Sequence, residues 1–91
     1  MSLGPYEVAW ARSALRGLDR LPDKAATACV EFVYGALADN PQRVGRELRL
    51  ELTGKRSAHR GDFRVIYEID DEERVVTVIA IDHRSDVYRP R

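Results

Sequence analysis

Apolar and polar positions alternate near the start of the chain, where Tyr6-Glu7-Val8-Ala9-Trp10 has the period of a half-buried strand. The period then lengthens. Ala11, Ala14, Leu15, Leu18 and Leu21 recur at three- and four-residue spacing, with Arg12, Arg16 and Arg20 on another face, which predicts an amphipathic helix. Leu21-Pro22 breaks it, and the proline suits the first turn of a second helix. That helix is expected over residues 22–38, with Ala26, Cys29, Val30, Val33 and Leu37 as its buried stripe. Asp39-Asn40-Pro41 closes it, because the residue before a proline avoids the helical region. The short connection makes the pair an αα-hairpin.

The second half of the chain reads as strands. Leu48, Leu50 and Leu52 alternate with charge, as a short strand or an extended segment does, and Thr53-Gly54 is a turn. A strand from Ser57 to Arg60 is broken near Gly61-Asp62. Phe63 to Ile69 is a clear strand, Asp70 to Glu73 is a polar hairpin connector, and Arg74 to Ile81 is a β-branched run of central-strand character. The order β-α-α-β-β-β predicts an α+β fold, a twisted antiparallel sheet with an N-terminal helical hairpin packed on one face. Residues 1–91 are expected to form a single domain, with residues 1–5 extended or disordered.

A hairpin closed by a two- or four-residue loop between Ile69 and Arg74 puts Arg64, Ile66 and Glu68 on one face with Thr77, Ile79, Ile81 and His83. Phe63, Val65, Tyr67 and Ile69 then meet the helices, together with Val76, Val78 and Ala80. Arg64 and His83 are thus expected on the same exposed face, unless a bulge or an odd loop flips the parity.

At 91 residues the chain builds one modest core and no deep private pocket. No apolar run approaches the roughly 18 residues of a membrane span, the N-terminus lacks a signal peptide's basic and apolar regions, and the lone Cys29 fits a reducing compartment, so the expected location is the cytoplasm. Net charge is zero, from 15 basic and 15 acidic residues, which taken alone argues against a nucleic-acid binder, usually a basic protein. The charge is segregated, however. Lys55, Arg56, Arg60 and Arg64 face a single nearby acid, Asp62, whereas residues 68–73 hold Glu68, Asp70, Asp71, Glu72 and Glu73 with no base. A local basic surface binds phosphate even when the total is zero, because charges are screened over about 8 Å at physiological salt.

An arginine, a histidine and a tyrosine beside a basic strand suit RNA backbone cleavage. Histidine exchanges protons near neutrality. The planar arginine fork fits phosphate oxygens and the charge that gathers in the transition state. Tyrosine stacks on a base or donates a hydrogen bond. No metal or other cofactor is called for, since His59 and His83 stand without the cysteine or carboxylate spacing of a zinc site. Plainer roles compete with these. Glu68 is a ready ion-pair partner for Arg64, Tyr88 can pack on the sheet edge, and Cys29 and Trp10 read as core.

The segment Arg60-Gly61-Asp62-Phe63-Arg64-Val65-Ile66-Tyr67-Glu68-Ile69-Asp70-Asp71 resembles the signature strand of the RelE/ParE toxin superfamily. Asp82-His83-Arg84-Ser85-Asp86-Val87-Tyr88 resembles the end of its RelE-like branch, and Arg43 to Leu48 and the helix from Trp10 to Leu21 also fit. The likeness runs from about Tyr6 to Tyr88 and implies the same fold. It also implies a type II toxin that enters the 30S A site of the ribosome and cuts mRNA there, with a cognate antitoxin as partner. By this resemblance Arg64 matches the arginine that stabilises the transition state, Lys55 one of two strand lysines, and Tyr88 the tyrosine that orients mRNA. His83 matches a histidine that does acid–base work in some branches. Ser57 stands in place of the second lysine and Asp82 in place of a catalytic arginine, and Arg56, Arg60 and Arg84 are the neighbours that can supply phosphate-binding charge. The alternatives are a ParE-like inhibitor of DNA gyrase, which needs no such catalysis, and a degenerate member that binds its antitoxin without acting.

Overall fold

The computed structural model describes residues 4–48 and 54–83. Strand β1 (Glu7–Trp10) leads into helix α1 (Arg12–Arg20) and helix α2 (Asp23–Phe32), which continues through a π-helical turn (Val33–Leu37). A short helix α3 (Pro41–Val44) precedes β2 (Arg46–Glu47), β3 (Arg56–Arg60), β4 (Phe63–Asp70) and β5 (Val75–His83). The expected first strand, helical pair and last three strands are therefore present, and the α+β class holds. Leu50 and Leu52 of the expected leucine segment lie outside the described residues, as do Arg84 and Tyr88.

The sheet order is β1-β5-β4-β3-β2. Strands β2 to β5 pair antiparallel, but β1 pairs parallel with β5, which modifies the wholly antiparallel expectation. Strand β4 lies antiparallel along one edge of β5, and β1 lies parallel along the other.

One sheet face carries Ala58, Phe63, Val65, Tyr67, Val76, Val78 and Ile81, all buried against Ala14, Cys29, Phe32, Val33 and Leu37 of the helical layer. Phe32 meets Phe63 edge-on at 6.4 Å between centroids, a favoured arrangement of the two ring quadrupoles. Cys29 is wholly buried, and burial pushes its thiol up to about 11, in keeping with a core role.

Helix α1 sits directly over β5. A Cβ at Gly17 would lie 2.5 Å from the Ile81 carbonyl oxygen, so glycine permits this approach. The Ser13 hydroxyl donates to the Ile79 carbonyl at 2.5 Å. Ile79 is the extra residue of a β-bulge, because Tyr67 pairs with Val78 and Ile66 with Ala80.

That bulge overturns the expected parity. Past it, Arg64 pairs with Asp82 and Phe63 with His83. His83 therefore falls on the side of the sheet opposite to Arg64, and Ile81 rather than Ala80 turns towards the helices. One added residue shifts every later side chain to the other face.

Candidate active site

The face away from the helices is built by three strands. The tight Gly61-Asp62 turn, with Gly61 at φ 58°, closes the β3–β4 hairpin so that Arg60 pairs with Phe63 and His59 with Arg64. Asp82 completes the row on β5. His59, Arg64 and Asp82 thus stand side by side across the sheet. The Arg64 guanidinium donates to the Asp82 carboxylate at 3.0 Å, and each side chain is 39% exposed. The expected partner Glu68 is instead paired with Lys55 at 3.2 Å.

Beside this row runs an open groove of about 630 Å³, lined by Val44, Gly45, Arg46, Glu47, Leu48, Ser57, His59 and Arg64. Gly45 closes its floor. A Cβ there would run into the Tyr67 hydroxyl and lie 2.8 Å from the Ser57 carbonyl oxygen. Tyr67 is itself buried and donates to the Pro41 carbonyl at 2.6 Å. Burial raises its pKa, an effect that the neighbouring Arg56 partly offsets.

The basic residues expected to act together are divided by strand alternation. Lys55 has the parity of Arg64's face. Arg56 points the other way and donates to the Gln42 and Gly45 carbonyls at 2.7 and 2.9 Å, so it braces α3 and β2 rather than facing Arg64. Arg60 lies over the Phe32 ring, 5.5 Å from its centroid, on the helical side. The signal that places His59 with Arg64 is the two-residue Gly-Asp turn, which fixes their pairing.

Among the described residues, no group of three or more His, Cys, Asp or Glu side chains could hold a metal ion, and no helix is long and apolar enough to cross a membrane.

Residues 8–88 match the family model of the ParE toxin of the type II toxin–antitoxin system parDE. The chain belongs to the RelE/ParE toxin superfamily. Within that superfamily it is 54% identical to Toxin RelE of Mycobacterium tuberculosis over 85 residues, covering 93% of this chain and 88% of the relative. It is 47% identical to Toxin RelG of the same organism over 85 residues, covering 93% and 98%. Among solved structures, the toxin–antitoxin complex RelBE2 of Mycobacterium tuberculosis matches with a TM-score of 0.88 at 45% identity, covering 93% of this chain and 98% of the other. A mutant Escherichia coli toxin RelE in the free state matches with a TM-score of 0.72 at 17% identity, covering 92% and 87%, a likeness of fold alone. The RelE/ParE membership read from the signature strand is thus established.

Proposed function

We propose that this chain is a ribosome-dependent endoribonuclease that cuts mRNA in the A site by 2′-hydroxyl attack, without a metal, and so arrests translation and growth. The observation that carries this reading is the position of Arg64. It is fixed by ladder pairs on both sides, it lines a groove, and a histidine stands next to it. A guanidinium there can hold a phosphate and the charge that develops as the backbone is cut. Lys55 adds charge on the same face. Arg84 and Tyr88 join the reading from the sequence, as phosphate-binding and mRNA-orienting residues.

The groove is open and the chain is small, so the ribosome supplies the positioning of the mRNA that this surface does not. Its cognate partner is an antitoxin. The RelBE2 complex of Mycobacterium tuberculosis, at 45% identity, supports that partnership.

The description of the matching family model, a ParE toxin, favours a second reading, inhibition of DNA gyrase by binding alone. Mapping mRNA ends in a translating extract, alongside a gyrase supercoiling assay, separates the two. Ribosome-dependent cuts that vanish in Arg64→Ala support the nuclease. Loss of supercoiling without cuts supports the inhibitor.

A further inference from the structure

We infer that His59 is the residue that accepts the proton of the attacking 2′-hydroxyl, an inference that rests on the ribonuclease reading above. His59 and Arg64 are directly opposed on neighbouring strands, a relation that brings Cβ atoms to about 4.5–5.5 Å. Both side chains line the same groove. A sugar–phosphate unit whose non-bridging oxygens are held by Arg64 therefore presents its ribose to His59. His83, the residue that resemblance favoured, is carried to the other side of the sheet by the bulge at Ile79.

The commitments of the neighbouring groups point the same way. Lys55 is paired with Glu68, and Asp82 with Arg64. Arg56 holds backbone carbonyls. Among the described residues, no side-chain hydrogen bond or ion pair engages the exposed His59 ring. The charged groups that line the groove with it are Arg46 and Glu47 from β2 and Arg64 from β4, with Asp82 beyond Arg64.

The step balances as a transesterification. Neutral His59 takes the proton from O2′ as the O2′–P bond forms. The P–O5′ bond breaks with its electron pair on O5′, which takes a proton from water. The hydroxide left behind recovers the proton from the His59 imidazolium. The products are a 2′,3′-cyclic phosphate and a 5′-hydroxyl end.

The test is single-turnover cutting of ribosome-bound mRNA by the full-length protein as a function of pH. The variants are His59→Ala, His83→Ala and Glu47→Gln. Wild type is expected to show a rate that rises with pH and then levels off, as a base that must be neutral to act requires. His59→Ala should lose that rise and about 100- to 10,000-fold in rate, the usual worth of a general base, while co-sedimenting with ribosomes as wild type does. Added imidazole should restore part of the lost rate. The pH-dependent rise should persist in His83→Ala and Glu47→Gln. The inference is overturned if His59→Ala cuts within about threefold of wild type, if imidazole has no effect on it, or if the rise disappears in one of the other two variants instead. Absence of any ribosome-dependent cutting by the wild type would sink the nuclease reading itself, a different result from cutting that ignores His59.

Discussion

Arg64 faces Asp82 across the β4–β5 ladder and donates to its carboxylate at 3.0 Å. This pairing sets the charge of the site. Asp82 neutralises Arg64 in the free protein and repels an incoming phosphate. Both side chains are more than a third exposed, so solvent screening leaves such a pair worth about 0–1 kcal/mol of stability. Asp82→Asn should therefore leave the urea midpoint almost unchanged. It should tighten binding of short single-stranded RNA several-fold at low salt, with a steeper dependence on salt concentration. Weaker binding in the variant would mean that Asp82 serves chiefly to hold Arg64 in place.

Gly17 is set against the backbone of β5. Alanine favours a helix interior over glycine by about 1 kcal/mol, which on propensity alone makes Gly17→Ala stabilising. The added methyl would lie 2.5 Å from the Ile81 carbonyl oxygen, a backbone atom that cannot swing aside. Overpacking of this kind costs about 1–3 kcal/mol and should outweigh the propensity gain. A lower urea midpoint for Gly17→Ala, with unchanged slope, is the expected result.

Tyr67 joins the core to the groove floor. Its hydroxyl satisfies the Pro41 carbonyl from a buried position beneath Gly45. Tyr67→Phe keeps the ring and leaves that carbonyl without its donor. The expected cost is about 1–3 kcal/mol, read by denaturant unfolding.

Alkaline pH should weaken the fold. Burial raises the Cys29 thiol from 9.0 to about 11 and raises Tyr67 above 10.0. Both groups are held neutral in the folded chain, whereas the unfolded chain ionises at the ordinary values. The stabilising difference is complete below pH 9 and is lost as pH rises through 11. Cys29→Ala should flatten the fall in stability between pH 9 and 11, measured as urea midpoint against pH. An unchanged slope in that variant would exclude the thiol as its source.

Much of this fold was legible because its periods are clean. The α1 stripe, the β4 alternation and the β-branched β5 run each mark their element, and the signature strand marks the family. The bulge was not legible, because Val78-Ile79-Ala80-Ile81 is apolar throughout and offers no period-two marker at the point where Ile79 drops out of register. At the irregularity the Ser13 hydroxyl reaches the Ile79 carbonyl from α1, a long-range contact that no local pattern marks. The site depends on that irregularity, which separates His83 from Arg64. His59 was within reach of sequence reasoning, since a Gly61-Asp62 turn of two residues places it opposite Arg64.

The cleavage of ribosome-bound mRNA in a purified translation system, with wild type and Arg64→Ala compared at equal occupancy of the ribosome, tests the central proposal most directly. The expected result is new 5′-hydroxyl ends at the A-site codon with wild type, reduced at least 100-fold by the substitution, as the loss of a preorganised charge-stabilising donor costs about 10²–10³ in rate. Intact mRNA under wild-type toxin, or cuts that persist undiminished in Arg64→Ala, would contradict it.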